Sequence, residues 1–409
     1  MPTPCTADGS AKAAQDLAQV PPFCVDQLPK WLRDYTGELS LRYTVPQSDL
    51  ALACIATVGT IAGSRAKVGL GWGAQANGSN LLVVLKPEEN SNLGLAMQHI
   101  IAPVVARQIE ILNRRREFND FKLERKLELR PHKMAFAYVS DEGLRQYLEE
   151  PGNLLRTAKP ALLLGRLDRE TLLRALSQSV DGRLFMCNEL AFEGHPCPAE
   201  GDSKLDLELV QRCLNRLPIT ESFGRAEVII GEPSLGGVLV ATPLGFASWF
   251  TQFESSPVVG SSLLLLRSPA KQAVIDNPAL EALSLQNEWC MRMDHLMDGW
   301  NPEAVPYQIS RKAKVKLFCF HNDLIRSTSK LPQPAIHVYR APYQLAIRLM
   351  VGLNLLETGS LQISSETAET AVNLARHYGR RQLCTWMDAH ADTTASRDAQ
   401  SKLLRLHAA

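Results

Sequence analysis

The sequence predicts an α/β protein with a mostly parallel sheet, preceded by helices and followed by an all-helical region. Short apolar segments alternate with helical segments between residues 67 and 267, which is the pattern of parallel β-α units. Two helical patterns precede the first strand, and the strand signals end beyond Pro269. The alternation of strands and helices, preceded and followed by segments that are helical only, therefore indicates an α/β core flanked by helices.

The predicted strands are short apolar runs bounded by polar or turn-forming residues. Leu81–Leu85 reads Leu-Leu-Val-Val-Leu, which is typical of a strand buried on both faces of a parallel sheet. The other strand segments are Lys67–Trp72, Met134–Val139, Ala161–Leu164, Arg183–Cys187, Ala226–Ile230, Gly237–Ala241 and Ser262–Leu266. The helices expected after the core are Pro278–Asp298, Ser310–Thr328, Tyr339–Glu357 and Ser364–His390.

These signals divide the chain into five parts. We expect a disordered tail at 1–22, a helical segment at 23–66, the α/β core at 67–270, a helical domain at 271–390 and a tail at 391–409. The core includes a charged helical insertion at 104–131, which ends at Pro131.

Composition excludes several classes of protein. The chain has 409 residues, of which 45% are hydrophobic and 21% charged, an ordinary globular balance. Lys and Arg number 44 against 43 Asp and Glu, so the whole molecule has no field that attracts nucleic acid or an anionic membrane. The 9 cysteines are scattered singly, which predicts reduced thiols in the cytoplasm. No apolar run is long enough for a membrane span.

Residues 81–103 have the layout of a phosphate-binding loop, with a buried strand, a polar loop and a helix. A working loop needs a Lys for the phosphates and a Ser or Thr hydroxyl for Mg²⁺, but Leu93 and Gly94 stand at these positions. Glu88 and Glu89 add negative charge, and a like-charge contact at ~4 Å costs about 1 kcal/mol in water. Taken alone, the layout also fits an ordinary connection in any α/β protein.

A wider set of residues resembles a family of RecA-like ATPases of phages, plasmids and integrated elements, often associated with primases. Family members open with Phe-x-x-x-x-Leu-Pro-x-Trp-Leu, begin the phosphate-loop strand with Asn-Leu, carry a charged helical insertion and continue to a Thr-x-x-x-Leu helix and a helical segment. The matching residues here are Phe23, Leu28, Pro29, Trp31, Leu32, Asn80, Leu81, residues 107–130, Ser140, Leu144 and the stretch from Ser310 to Leu349. The resemblance implies a RecA-like core.

The same resemblance implies that the catalytic positions are lost. The Walker B aspartate, a Mg²⁺ ligand in the family, is replaced by Asn188, and Glu189 occupies the position of the water-activating carboxylate. The family's Gln-Pro appears as Thr242-Pro243, and its arginine falls on Ser262, with Arg267 close by. Phosphoryl transfer depends on such positioned charges, so we expect no ATP hydrolysis and no cofactor.

Basic residues provide the main candidates for a nucleic-acid interface. Nine Lys or Arg and five acids lie between Arg107 and Lys133, a pattern that predicts either phosphate contacts or a solvated helix with i,i+4 ion pairs. The candidate nucleic-acid-binding residues are Arg114, Arg115, Arg116, Lys122, Arg125, Lys126 and, in a second cluster, Arg311, Lys312 and Lys314. Cys187, His195 and Cys197 match no zinc pattern, so no metal site is expected.

Three functional hypotheses follow. The first is a non-catalytic RecA-like subunit that binds DNA or serves as a scaffold in a mobile-element, replication or phage-defence complex. The second is a divergent ATPase or helicase that uses Glu189 and Arg267. The third is a protein-interaction subunit without nucleic-acid contact. All three expect a protein partner in an oligomer or hetero-complex, and none expects a membrane.

Overall fold

A computed structural model of the chain describes residues 19–63, 66–69, 78–88, 91–128, 162–164, 172–173, 175–176, 183–187, 207–223, 226–230, 233–253, 256–269, 283–298, 306–328 and 333–407. Some residues within these ranges are described by their backbone alone, among them 111–128 and 390–407. In the described part of the chain, no helix is long and apolar enough to span a lipid bilayer.

The described helices and strands alternate in the first two thirds of the chain. The helices are α1 Lys30–Tyr43, α2 Gln47–Ala62, α3 Leu93–Glu128, α4 Leu207–Asn215, α5 Pro243–Phe253, α6 Gln286–Asp298, α7 Arg311–Thr328, α8 Gln333–Arg340, α9 Pro342–Glu357 and α10 Ser365–His407. The strands are β1 Val68–Gly69, β2 Leu82–Lys86, β3 Leu162–Leu164, β4 Arg183–Cys187, β5 Ile219–Phe223, β6 Ala226–Ile230, β7 Ser234–Val240, β8 Leu263–Arg267, β9 Tyr307–Ile309 and β10 Gln362–Ile363.

The main sheet has five parallel strands in the order β3-β4-β7-β2-β8. In β2, Val84 pairs with Leu239 of β7 on one side and with Leu265 of β8 on the other. The side chains of residues 82–85 are completely buried, as the unbroken apolar run predicts. The prediction of an α/β chain with mostly parallel strands is therefore confirmed.

Strand pairing differs from the prediction in two places. Ala226–Ile230 forms β6, but it pairs antiparallel with the unpredicted strand β5 in a separate two-stranded sheet. The region beyond residue 271 is not all-helical, because β9 and β10 join β1 in a three-stranded parallel sheet. Strand β1 lies within the predicted strand Lys67–Trp72, whereas β9 and β10 have three and two residues, too few for an alternating pattern to be detected.

Helix α2 is central to the fold, although the sequence placed it in an amino-terminal segment. Every residue from Ser48 to Ala62 is buried, because the helix packs against β2, β4, β7 and α9. A Cβ atom on Gly236 of β7 would lie 2.2 Å from Oγ1 of Thr60, so glycine permits this close approach. The amino-terminal helices and the sheet therefore share one hydrophobic core.

Helix α10 covers the free edge of β8. Oε1 of Gln382 accepts a hydrogen bond from the Leu265 N–H at 2.6 Å, and Oγ1 of Thr385 accepts one from the Arg267 N–H at 3.4 Å. Backbone groups at a sheet edge need partners, and here the side chains of a helix satisfy two of them. The helical carboxyl-terminal region is therefore joined directly to the sheet.

Two helices are longer than the sequence indicated. Helix α3 is continuous over 36 residues and includes Pro103, so the predicted helix from Gly94 and the charged insertion at 104–131 form one element. Helix α10 has 43 residues and continues to His407, through most of the segment expected to be a tail. Of the expected amino-terminal tail, residues 1–18 lie outside the described residues.

Candidate functional site

The carboxyl end of the main sheet has the topology of a ligand site. Strand β2 leads through residues 87–92 into α3, and the neighbouring strand β7 leads into α5. Among the described strands of this sheet, the next one after β2 in the chain is β3 at one edge, whereas the next one after β7 is β8 at the other edge. Neighbouring strands whose connections leave in opposite directions form a topological switch point, and α/β proteins bind ligands beside it.

The two positions expected to handle phosphate and Mg²⁺ carry no polar side chain. Leu93 is completely buried, and its N–H donates a hydrogen bond to Oγ of Ser91 at 3.3 Å. Gly94 is exposed, and a Cβ atom added to it would meet no other atom within 4 Å. Glu88 is exposed, and its carbonyl oxygen accepts the Ser91 N–H at 3.2 Å. The junction thus combines an apolar anchor, an open glycine and an acidic side chain.

Thr242 lies at the same end of the sheet, directly before α5. Its Oγ1 accepts the Gly245 N–H at 3.1 Å, and its carbonyl oxygen accepts the Phe246 N–H at 2.8 Å. These are the contacts of a helix N-cap, which satisfy donors that the first turn leaves without an intrahelical partner. The threonine is therefore explained by the start of the helix.

Ser262 does not join the other predicted residues. It lies at the amino end of β8, where its carbonyl oxygen accepts the Leu82 N–H at 2.9 Å. The five residues of β8 separate it from the carboxyl end by about 16 Å at ~3.3 Å per residue. Arg267 is the residue at that end, paired in register with Lys86. Alignment of the family's arginine with Ser262 therefore placed it at the opposite end of the strand.

The Walker B-like residues follow β4, which ends at Cys187 opposite Val238 of β7. Asn188 and Glu189 themselves lie outside the described residues, as do Glu89, His195 and Cys197. Their predicted roles remain predictions. In the described part of the chain, no group of three or more His, Cys, Asp or Glu residues is placed to hold a metal ion.

A buried ionic network, which the sequence did not reveal, lies at the carboxyl end of β8. Oδ1 of Asp49 is 2.5 Å from Nη1 of Arg381, and Oδ2 of Asp49 accepts a hydrogen bond from Ser268 Oγ at 2.5 Å. Nη2 of Arg381 donates to the carbonyl oxygen of Arg267 at 2.7 Å. The network joins α2, β8 and α10. The only sequence signal of Asp49 is that it is a single acid in an apolar helix.

A second buried polar centre lies at the amino end of the sheet. Nδ2 of Asn80 donates to the carbonyl oxygens of Leu214 and Leu235 at 3.1 and 2.9 Å, and its Oδ1 accepts Nη1 of Arg348 at 2.9 Å. Burial, together with the nearby charge of Arg216, lowers the pKa of Arg348 to about 9. Asn80, a residue of the family resemblance, therefore holds the fold together at the end opposite the candidate site.

The amino-terminal motif of the resemblance also has a structural role. The ring of Trp31 stacks on Tyr35 at 5.5 Å and on Trp289 of α6 at 5.7 Å, and the Arg292 guanidinium lies 4.6 Å from the Trp31 centroid. Phe23 packs against His377 of α10 at 5.4 Å. The motif thus attaches the amino-terminal helices to the carboxyl-terminal ones.

The candidate nucleic-acid-binding residues lie on two separate groups of helices. Those of the first cluster are in α3, at positions described by their backbone alone: Arg114, Arg115, Arg116, Lys122, Arg125 and Lys126. The part of α3 before them packs against α1, α2 and α6, whereas α7, which carries the second cluster, packs against α8, α9 and α10.

The second cluster is partly neutralised by acids at the start of α10. Arg311 and Lys312 are exposed and Lys314 is half-buried, while the next lysine, Lys316, forms an ion pair with Glu369. The pKa of Glu366 is lowered by hydrogen bonds from its own backbone N–H and from Ser364, and to a smaller extent by Lys316 and Lys312. The positive field at the start of α7 is therefore weaker than its sequence suggests.

Comparison with known proteins assigns no family to the chain. No protein-family model matches it, and no curated protein matches it significantly.

Proposed function

We propose that this chain is a non-catalytic protein with a RecA-like core, acting as a DNA-binding or scaffolding subunit of a mobile-element, replication or phage-defence complex. The observation that carries the proposal is the junction between β2 and α3. It has the position of a phosphate loop at a topological switch point, but the Lys position is a fully buried leucine, Leu93. The topology of a nucleotide site thus remains without its phosphate-binding side chains.

The strand order supports a RecA-like core. Strand β7 separates β2 from β4, after which the Walker B-like residues Asn188 and Glu189 follow in the sequence. Adjacent strands are about 4.8 Å apart, so the carboxyl ends of β2 and β4 are separated by about 10 Å. RecA-like cores likewise place one strand between the phosphate-loop strand and the Walker B strand, and the nucleotide and its Mg²⁺ ion bind across that gap.

The replaced residues at the carboxyl end of the sheet argue against catalysis, because each replacement removes a different contribution to the binding of nucleotide and Mg²⁺. Leu93 and Gly94 supply neither the positive charge nor the hydroxyl that a nucleotide and Mg²⁺ require, and Glu88 adds a negative charge. Phosphoryl transfer consists mainly of positioning and electrostatic stabilisation, so no single remaining carboxylate such as Glu189 replaces these groups. A fold retained without its chemistry is consistent with a role in assembly or DNA binding.

Nucleotide titration tests the loss of ATP binding and hydrolysis. A ligand at 100 times its Kd stabilises a protein by about 2.7 kcal/mol, which thermal unfolding detects readily. We expect millimolar Mg²⁺-ATP to leave the melting temperature unchanged and a phosphate-release assay to show no turnover. The opposite outcome is turnover that Glu189→Gln abolishes, and it would establish the alternative hypothesis of a divergent ATPase.

Salt-dependent binding tests the DNA-binding role. We expect fluorescence anisotropy to detect DNA binding at low salt, and the triple replacement of Arg114, Arg115 and Arg116 by Ala to weaken it. If these residues contact three phosphates, the slope of log K against log salt falls by about 2.7, at ~0.9 per phosphate. Replacement of Arg33, Arg42 and Arg212 by Ala is the matched control. Absence of binding, or equal loss in the control, favours the protein-interaction hypothesis.

A further inference from the structure

A groove with a volume of about 200 Å³ lies among the carboxyl-terminal helices. Its lining residues belong to α7, α8, α9 and α10, together with Pro21 of the amino-terminal segment. The main lining residues are Pro21, Phe320, Asp323, Tyr339, Arg376 and Arg380. None of the residues that the sequence predicted for a site lines this groove.

Two arginines of the groove are held in place by aromatic rings. The guanidinium carbon of Arg376 lies 5.2 Å from the ring centroid of Phe320, and that of Arg380 lies 4.8 Å from the centroid of Tyr339. Nη2 of Arg380 also donates to the Tyr339 hydroxyl at 3.0 Å. Cation-π contacts of this kind orient the planar donors, so a bound anion would order them at a smaller entropic cost.

The two guanidinium groups belong to the same face of α10. Arg376 and Arg380 are four residues apart, which places their Cβ atoms about 5–6 Å from each other on a helix. Each guanidinium presents a fork of N–H donors that matches two oxygens of one anion. The two donor forks therefore start from adjacent turns of the same helix face.

The carboxylate in the groove leaves an excess of positive charge. Oδ2 of Asp323 is 3.7 Å from Nη2 of Arg376, and its Oδ1 is 4.0 Å from Nη1 of Arg326. Both distances exceed that of a hydrogen bond, so Asp323 balances one charge by attraction at longer range. The charged residues that line the groove are two arginines, Arg376 and Arg380, and this one carboxylate.

We propose that the groove binds a phosphoryl group, supplied as inorganic phosphate or as a small phosphate monoester. A phosphoryl group has three terminal oxygens for the two arginine forks, whereas the two oxygens of a carboxylate match only one fork. This site goes beyond the proposed function and does not depend on it, because it lies outside the main sheet and contains none of the residues of α3 and α7 expected to contact DNA.

Calorimetric titration of the full chain with inorganic phosphate, ribose 5-phosphate and ribose tests the site. We expect saturable binding of phosphate or ribose 5-phosphate at millimolar concentration and none of ribose. Tighter binding of ribose 5-phosphate identifies a monoester site, whereas equal or tighter binding of phosphate identifies a free-phosphate site. Absence of saturable binding by both phosphates overturns the proposal.

Variants assign any binding to the groove. Arg376→Gln and Arg380→Gln should each weaken binding by about tenfold or more, because each removes a charged donor fork. Arg376→Lys should recover only part of the loss, since lysine retains the charge but not the fork. Arg42→Gln is the matched control, because the Arg42 guanidinium also lies over a tyrosine ring, at 5.9 Å from the Tyr43 centroid.

Thermal unfolding of every variant shows that the fold is intact. Equal affinity in Arg376→Gln, Arg380→Gln and the wild type, or an equal loss in Arg42→Gln, would contradict a site in the groove. Loss confined to the two groove variants supports it.

Discussion

At the amino end of the main sheet, the side chains of Asn80 and Arg348 are buried and hydrogen-bonded to each other, whereas at the carboxyl end the junctions after β2 and β7 are exposed. Asn80 and Arg348 form the buried centre of the amino end, and Gly236 brings β7 against α2. Gly94 and Thr242 at the carboxyl end are exposed. Buried contacts thus stabilise the fold at the amino end of the sheet. The carboxyl end, where proteins of this topology bind their ligands, is open to solvent after β2 and β7.

The carboxyl end has one exception, which lies at the edge strand β8. There Asp49, Arg381 and Ser268 form a buried network, and Asp49 is completely inaccessible to solvent. The difference between the two ends is therefore not one of polarity alone. Side chains at the carboxyl end form buried ionic contacts where α10 covers the sheet, whereas Gly94 and Thr242 at the switch point are exposed to solvent.

The largest expected effect comes from breaking that network. Asp49→Asn should lower the free energy of unfolding by about 3–5 kcal/mol, because it leaves the charge of Arg381 buried without its counter-ion. Urea denaturation measures the loss. Asp388→Asn is the control, since it breaks the exposed pair that Arg267 and Asp388 form at 3.2 Å, and it should cost about 1 kcal/mol or less.

A double variant separates the charge from the packing. Asp49→Leu combined with Arg381→Met replaces the buried pair by apolar side chains and should recover much of the stability lost by the single variant. If Asp49→Asn lowers the free energy of unfolding no more than Asp388→Asn does, the buried network does not contribute more to stability than an exposed ion pair.

Alanine substitutions of two glycines, Gly236 in β7 and Gly94 after β2, compare the closely packed and the open parts of the sheet directly. Gly236→Ala should destabilise by about 1–3 kcal/mol through overpacking, because its Cβ would lie 2.2 Å from Thr60 Oγ1. Gly94→Ala should be neutral or stabilise by up to about 1 kcal/mol, because the site is open and alanine favours a helix. Equal effects at the two positions, measured by thermal unfolding, would contradict the contrast between the ends.

The smallest expected effect is a pH dependence close to the network. His377 is buried with its Nδ1 2.8 Å from the carbonyl oxygen of Pro21, and burial lowers its pKa below the ordinary value. The unfolded chain therefore binds more protons than the folded one below about pH 6.5, so stability falls as the pH decreases from 7 towards 5.

Replacement of the histidine measures this contribution. His377→Gln should reduce the slope of unfolding free energy against pH in this window, since glutamine does not titrate. His337→Gln, at an exposed position on α8, is the control for replacement of a histidine. Identical slopes for all three proteins would rule out a contribution from His377.

Elements with strong local patterns were predictable from the sequence. The apolar run of β2 and the segment Arg183–Cys187 are strands where expected, because buried parallel strands are short, continuous and apolar. The junction at Leu93 and Gly94 was also predictable, since strand, loop and helix follow one another without interruption. The strands β9 and β10 were not, because two or three residues form a strand only when distant partners supply hydrogen bonds.

The candidate site was only partly predictable for a similar reason. The alignment of the family's arginine with Ser262 depended on a single residue, and no distinctive residues beside it fix the register. A shift of five residues, from Ser262 to Arg267, moves the position from one end of β8 to the other. The groove around Arg376 and Arg380 had no sequence signal, because its aromatic partners Phe320 and Tyr339 lie on other helices.

The sequence by itself determined the α/β class, the buried central strand and the nonpolar residues Leu93 and Gly94 at the start of the helix that follows it, because these properties depend on residue type and local order. Only the tertiary structure decided that α2 and α10 enclose the sheet and that Asp49 meets Arg381. Those pairings join residues hundreds of positions apart. They form because a buried charged group cannot be hydrated by water and needs a partner of opposite charge within the protein.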